Sequence, residues 1–520
     1  MIFTVITDTH FFKKPKHRNE GDTPFECEEI LNAAFRQIAN DDESDIVLVA
    51  GDVTNNGEKC SHDGVVELFR YLKEHGKKVY VITATHDFND SGETHGHDEN
   101  GYGKVPALKR EELFEKYREF GPDEAIAIHR ETMSYVVQLP ENCRLFALND
   151  DNNGKGKSGF SDDLVKWIAE QADDAHKNGQ LIIPMTHHPL IPPNVLYAIF
   201  GAHQDMLADH EDRVRELADN GISFILTGHT HMHDVSYTFT EKKNFFCDIT
   251  TSALTEYPGA YRKIEIPEDR SCLKIKTEFV TEPINADLGG LSLGDYLKKQ
   301  LTGTVNDMIY AAANDIPRLS GQVIAISMKP SFIMKNGWII LPIGKLVSRL
   351  KLGFFGNITR SETGLSKKDY ADIKDEKLVD FILSIFVKMF SGDADYTPDG
   401  NHYKITSAFV ANVDSLLSAA HVKLDKFIGG AKDLSSLVIP LIYNVGLPDN
   451  DVVIPLYPTE EEIKQLRNDK GKTFKPKKTK NGKLMLATLV PAALVSIPLL
   501  PPTVLALLSA YKVHLSRHKR

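Results

Sequence analysis

Met1-Ile2-Phe3-Thr4-Val5-Ile6-Thr7-Asp8-Thr9-His10 opens the chain, and its reading decides the fold. Residues Ile2–Thr7 are all aromatic or β-branched, as suits a strand buried on both faces. The run ends at once in Asp8 and His10. The same grammar recurs four times. Ile46–Ala50 leads to Asp52, Val79–Thr83 to His86 and Asp87, Leu181–Met185 to His187 and His188, and Ile222–Leu226 to His229 and His231. Amphipathic helical stretches lie between the runs, near 27–40, 62–75, 108–119, 161–177 and 211–219. Apolar runs alternating with helices predict α/β layering. Side chains just beyond the carboxyl ends of such strands share one ligand crevice. From 234 to 280 the pattern changes to consecutive strands, Val235–Thr240, Phe245–Thr250, Tyr261–Ile266 and Cys272–Val280. Alternation followed by a meander predicts two packed sheets flanked by helices.

Asp8-Thr9-His10 and His229-Thr230-His231 are i,i+2 pairs, which in extended chain point to the same side. Each pair can therefore serve one metal centre. The donors are carboxylate oxygen and imidazole nitrogen without thiolate, which favours Mn, Fe or Zn and disfavours Mg or Ca alone. A carboxylate such as Asp52 can bridge two ions about 3.5–4 Å apart, an arrangement suited to in-line phosphoryl displacement.

Asp8-x-His10, Gly51-Asp52, His86-Asp87, His187-x-Pro189 and Gly228-His229-x-His231 together resemble, in order and spacing, the five blocks of the calcineurin-like metallophosphoesterases. The resemblance covers about residues 1–280. Thr251–Arg262 is similar to the closing strand region of the cyclic-nucleotide-phosphodiesterase-like branch. The resemblance implies a four-layer sandwich, two mixed β-sheets flanked by helices. It implies that Asp8, His10 and His231 hold one divalent ion, that His187 and His229 hold another, and that Asp52 bridges them. A hydroxide at the ions would attack phosphorus, with His86 stabilising the transition state or protonating the leaving alkoxide and Asp87 orienting His86. The substrate class so implied is cyclic nucleotides or similar small phosphodiesters. Phosphomonoesters, nucleotides and phospholipid headgroups are the alternatives within the enzyme class, and a degenerate metal-binding scaffold is the alternative outside it. One block departs from the family: Ala84-Thr85-His86-Asp87 stands where the family has Gly-Asn-His-Asp/Glu. A neutral hydroxyl replaces the amide oxygen that completes the second metal site, so weakened or exchangeable binding is expected there.

Around the five blocks, several polar groups have quieter readings. His188 reads as a packing or supporting residue. The Gly-, Asp- and Asn-rich segment 88–104, with His95 and His97, reads as a solvated loop. Asn55-Asn56-Gly57 reads as a turn at the pocket edge. Asn149-Asp150 ends the apolar run Leu145–Leu148 and could approach the substrate.

The remaining chain is of another kind. Residues 292–313, 372–390, 405–421 and 432–444 carry helical periodicity, and 285–470 reads as a mainly helical second domain that caps the cleft, sets specificity or mediates dimerisation, after a catalytic domain of 1–282. Trp338–Leu341 with Phe354-Phe355 reads as its core; Lys345, Arg349 and Lys351 leave a membrane-facing surface as the other reading.

Length and composition set the limits. The 520 residues, at about 150 per domain, suggest two to four domains. A hydrophobic content of 42% and a charged content of 26% exclude wholesale disorder and fibrous repeats. The net charge of −11 conceals a split: residues 464–520 hold 13 Lys and Arg and one acid, which leaves 48 basic and 71 acidic residues, −23, for the rest. An acidic body disfavours long nucleic acid as a partner, because binding it requires phosphate neutralisation. Five cysteines without C-x-x-C spacing argue against a disulfide framework or a zinc module, and the opening strand is not a signal peptide; both favour the cytoplasm. Residues 471–483 form a basic linker, and Leu484–Tyr511 follows without a charge. That length can cross a bilayer core, although Pro491, Pro498, Pro501 and Pro502 each remove a helix donor. A membrane-associated tail is the expectation.

Overall fold

The apolar runs become strands. The computed structural model describes residues 1–13, 26–200, 205–322, 330–392, 396–419 and 432–467, with Pro476. It begins with β1 (Ile2–Ile6), α1 (Cys27–Ala39), β2 (Ile46–Ala50), α2 (Lys59–Glu74) and β3 (Lys78–Ile82). A hairpin, β4 (Glu93–Asp98) and β5 (Gly101–Pro106), precedes α3 (Arg110–Lys116), β6 (Ala125–His129), β7 (Ser134–Leu139) and β8 (Cys143–Ala147). Then come α4 (Asp162–Lys177), β9 (Leu181–Met185), α5 (Val195–Phe200), α6 (His210–Asp219) and β10 (Phe224–Thr227). The meander is β11 (Asp234–Phe239), β12 (Phe245–Thr250), β13 (Ala260–Glu265) and β14 (Cys272–Phe279).

Two mixed sheets result. The first is ordered β15-β14-β13-β1-β2-β3 and the second β11-β12-β10-β9-β8-β7-β6, where β15 is a late strand, Val452–Pro455. Their facing surfaces form one core, in which Phe3, Val5, Ile46 and Leu48 meet Val137, Leu145, Ile183 and Leu226. Successive strand residues point to opposite faces, so Ile6, Val47 and Val49 turn outward and are covered by Leu31 and Phe35 of α1 and Val65 and Phe69 of α2. On the far side Phe146, Ile182 and Ile225 pack on Leu164 and Ile168 of α4 and Leu217 of α6. The four-layer sandwich expected from the sequence is therefore present.

The helical region comprises α7 (Leu293–Asn314), α8 (Ile316–Gln322), α9 (Pro330–Val347), α10 (Leu352–Ile358), α11 (Arg360–Thr363), α12 (Leu378–Phe390), α13 (Asn401–Ala419) and α14 (Leu434–Ile442). It is not a separate body. Leu293 and Leu297 of α7 join the core beneath α1 and α2. Tyr197, Met206 and Met232 of the sandwich pack with Leu301, Phe386, Val413 and Leu437. The chain then returns to the sandwich, where β15 pairs antiparallel with β14 and Ile463 of α15 (Glu460–Leu466) enters the inter-sheet core.

Two expectations are corrected. Residues 88–104 are not a solvated loop, because 93–106 pair as a tight hairpin with Asp98 opposite Gly101. Glu99 and Asn100 form its turn, and Gly101 follows at φ 125°, a conformation open to glycine. Its His97 is buried between Phe12 and Tyr102, with ring centroids 5.0 and 5.1 Å away. Trp338 is likewise not core: it is 77% exposed, and Phe354 is 37% exposed. Phe355 does pack inside. The linker 471–483 and the uncharged stretch 484–511 lie outside the described residues. Among the described residues no helix is long and apolar enough to cross a membrane.

Candidate metal centre

The loops that follow the strands are stitched together by their own backbone. Asp8 N–H donates to Gly51 O at 3.1 Å and His10 N–H to Asp52 O at 3.0 Å, which locks the loop after β1 to the loop after β2. Gly228 N–H donates to His187 O at 3.0 Å, which does the same for β9 and β10. The two sheets are then joined at the centre, where His229 N–H donates to Asp8 Oδ2 (2.8 Å) and His187 Nδ1–H to Ala50 O (2.8 Å). The fit leaves no spare volume. A Cβ at Gly228 would sit 2.1 Å from Thr7 Oγ1 and 2.6 Å from Asp8 Oδ2.

Asp8, His10, Asp52, His229 and His231 all have positive φ, between 42° and 69°. That region is uncommon for residues other than glycine and clusters at functional sites. Asp8 and His10 do converge on one site as expected, whereas His229 and His231 divide between two neighbouring ones, and both pairs do so through left-handed turns and not in extended chain.

Six side chains form two triads, Asp8, His10 and His231 in one, and Asp52, His187 and His229 in the other. All six are buried. Their spacing is that of ligands around a cation. Asp8 Oδ1 lies 3.2 Å from His231 Nε2 and 3.6 Å from His10 Nε2. Asp52 Oδ2 lies 3.0 Å from His187 Nε2 and 3.9 Å from His10 Nε2. Bonds of about 2.0–2.2 Å to a divalent ion put neighbouring ligand atoms about 3 Å apart. The triads are adjacent, since His187 Nε2 is also 3.9 Å from Asp8 Oδ1.

The atoms left over fit a metal. Asp8 Oδ2 accepts from Thr7 Oγ1 and His229 N, while buried Oδ1 has no hydrogen-bond partner among the described residues. Asp52 Oδ1 accepts His86 N–H at 3.0 Å, which leaves Oδ2 for the centre. His187 spends Nδ1 on Ala50 O, and His231 sets its Nδ1 2.6 Å from Glu256 Oε2. Both rings therefore present Nε2 inward. His10 Nε2 and His231 Nε2 face each other at 3.1 Å, and a neutral pair cannot both accept there. Buried charge and lone pairs gathered this way call for a cation.

Electrostatics agree. Burial opposes the charged carboxylates, yet His231 and His187 hold Asp8 well below the usual range, and His187 and His86 do the same for Asp52. Burial also opposes charge on His187 and His231. Asp52 and Asp8 overcome it at His187, and Glu256 and Asp8 at His231, raising each to about 10. Burial pushes His10 down to about 4. Without an ion, protons on His187 and His231 thus stand in for cationic charge, and a metal must displace them.

His86 sits half-buried at the mouth, edge-on to His10 with centroids 4.9 Å apart. Asp87 does not orient it. The Asp87 carboxylate accepts from Thr54 N and Oγ1 and from Ala84 N at 2.8–3.0 Å, bracing the loops after β2 and β3. Burial and the Asp52 carboxylate push it up to about 7. The His86 ring is held instead by the Asn55 carbonyl, 2.8 Å from Nδ1. Asn55 thus belongs to the pocket edge, as its position suggested.

His188 supports from behind. Its Nδ1 is 3.0 Å from Asp150 Oδ1, and its ring lies 4.2 Å from that of His229. Asp150 Oδ2 gathers the N–H groups of His187 and His188 and the Thr186 hydroxyl. Asn149 is turned away from any substrate: its amide bridges Thr83 N and Met133 O. Glu256 is the functional residue whose role the sequence reading missed. Its signal was an acid inside an otherwise uncharged stretch, Ile249–Tyr261.

An α/β/β/α sandwich with two carboxylate–imidazole triads at its strand ends has the layout of a metal-dependent phosphoesterase. Residues 1–233 match the model of the calcineurin-like phosphoesterase family, so this part of the chain is a metallophosphoesterase-type domain. No curated protein matches the chain. Solved structures that match part of the chain include a dimetal phosphatase from Danio rerio, with 14% identity over 54% of this chain and 96% of that one, TM-score 0.37. A purple acid phosphatase from yellow lupin seeds has 13% identity over 54% and 52%, TM-score 0.35. A putative 5′-nucleotidase from Staphylococcus aureus has 13% identity over 58% of each chain, TM-score 0.32. The alignment spans little more than half of the latter two proteins.

Proposed function

We propose that the chain is a phosphodiesterase acting on cyclic nucleotides or similar small diesters, with two divalent ions (Mn, Fe or Zn) held by Asp8, His10, Asp52, His187, His229 and His231. The observation that carries the reading is the edge-to-edge placement of the two triads, with Asp52 Oδ2 within 3.9 Å of a nitrogen from each. Two ions, when bound, would lower the pKa of an attacking water and neutralise charge developing on the phosphoryl oxygens. The chain's own residues do the remainder. Asp8 and Asp52 set the charge of the centre, and the Ala50 carbonyl and Glu256 fix which nitrogen His187 and His231 present. With Nδ1 of His86 committed to Asn55, only Nε2 can exchange a proton; in the charged form it gives that proton to the leaving alkoxide as the P–O bond breaks. A diester is supported by this proton donor and by the resemblance of 251–262 to the phosphodiesterase-like branch.

A panel of cyclic nucleotides, monoesters and phospholipid headgroups, run with each metal beside Asp52→Ala, tests the reading. The diester should be turned over fastest and the variant should be inactive; preference for monoesters would make it a phosphatase or nucleotidase. Equal inactivity of wild type and variant under all three metals would make it a scaffold. Thr85 is the feature favouring that second reading, and Thr85→Asn should raise metal occupancy or turnover. The body is proposed to be cytoplasmic and attached to a membrane through 484–511; deleting 471–520 should weaken its retention in a membrane fraction.

A further inference from the structure

Helix α9 has two faces of different kinds. Ile333, Gly337, Ile340 and Gly344 are buried. The glycines let α9 lie directly on the helices beneath it: a Cβ on Gly344 would be 2.5 Å from the Ala312 carbonyl oxygen, and one on Gly337 2.9 Å from Ile316 Cγ2. The other face carries Met334, Trp338 and Pro342, all exposed, with Phe354 of α10 beyond them. Lys335, Lys345 and Arg349 are exposed alongside. Between Asp315 and Glu362 the sequence has seven Lys and Arg and no acid, in a body that is otherwise strongly acidic. Among the described bases of that stretch, Lys351 is spent on an ion pair with Asp375 and Arg318 on one with Asp307.

We propose that this face of α9 docks on an anionic lipid bilayer. A helix with exposed Trp and Met among bases lies in the plane of the interface, its apolar side chains entering the boundary between headgroups and acyl chains. Trp338 has the amphipathic ring that favours that depth. Lys335, Lys345 and Arg349 meet the lipid phosphates, and the helix lies on the bilayer without crossing it. Charge complementarity selects this occupant over the others. The chain's own stretch 484–511 is uncharged and flanked by bases, so it brings no acid to the three cations. A second copy meeting this face through a twofold axis would oppose like charges. The inference is independent of the reaction proposed above.

The test uses the full chain with Trp167→Phe, which leaves Trp338 as the single tryptophan. Its emission is followed with phosphatidylcholine vesicles, with and without phosphatidylserine. Expected are a blue shift and quenching by lipids brominated near the headgroup, only with phosphatidylserine present. Each base removed should weaken binding about fivefold, so Lys335→Ala, Lys345→Ala and Arg349→Ala together should cost about a hundredfold, with hydrolysis of a soluble bis-aryl phosphate unchanged. Vesicle binding without any change at Trp338 overturns the proposal, because the tail then acts alone. Emission already blue-shifted without vesicles also overturns it, and sedimentation then tells whether the tail or a second copy covers the face. Absence of vesicle binding overturns it outright.

Discussion

At the scale of single residues the centre depends on groups that do not touch an ion. Glu256 sets the tautomer of His231 from 2.6 Å. Glu256→Gln should weaken metal affinity at the first triad by about 10–100-fold, read by metal titration, while the second triad keeps its own affinity. The raised imidazoles make a pH argument with a definite sign. His187 and His231 lie near 10 in the folded, metal-free protein and about 6.5 when unfolded. Between those values the folded state binds more protons, so the stability they contribute is fully present below pH 6.5 and lost as pH rises towards 10. Protein stripped of metal should therefore melt at a lower temperature at pH 9.5 than at pH 6.5, and added metal should reverse the difference. A melting temperature that is flat or rising over that interval in the stripped protein sinks the assignment.

At the scale of elements, Arg262 on β13 couples the sandwich to the returning chain. Fully buried, it donates to the carbonyls of Thr250, Asp234 and Asp449 at 2.7–3.2 Å. Arg262→Leu strands those acceptors and should lower the free energy of unfolding by several kcal/mol, at about 1–3 kcal/mol for each group left unsatisfied. Denaturant midpoints check it, and Arg262→Lys should rescue little, since one ammonium cannot span the three. Element types also show where the sequence was legible. Ile2–Thr7, Ile46–Ala50 and Leu181–Met185 announced strands because both faces are buried, and Asp8, Asp52 and His187 beyond their ends announced the site. The hairpin 93–106 was hidden by glycine and acid content that reads as loop, although Asn100-Gly101 marked the end of its turn. Trp338 was misplaced because Gly337 and Gly344, with Ile333 and Ile340, form the packed face of α9 and leave the tryptophan on the other side. Asp87 was misassigned because sequence adjacency to His86 says nothing about which donors surround a carboxylate.

At the scale of the whole molecule, the expected division at 282–285 cuts through the first sheet. Leu447, Val452, Ile454, Leu456 and Ile463 are buried in the inter-sheet core, and full burial of such side chains is worth about 1.5–3 kcal/mol each. Residues 1–282 expressed alone should be strongly destabilised and prone to aggregate through the bared edge of β14. A chain ending after 467 should melt within a few degrees of the full-length protein. Equal stability of the two truncations would show that β15 adds nothing.

The late arrival of β15 also sets a schedule. A ribosome adding about 5–20 residues per second delivers β15 roughly 10 to 35 seconds after β14. Throughout that interval the nascent sandwich, its metal ligands already synthesised, carries an open strand edge at which other chains or chaperones can pair. A product broken off inside the helical region keeps that edge for good, which marks it for quality control while an intact chain closes its own.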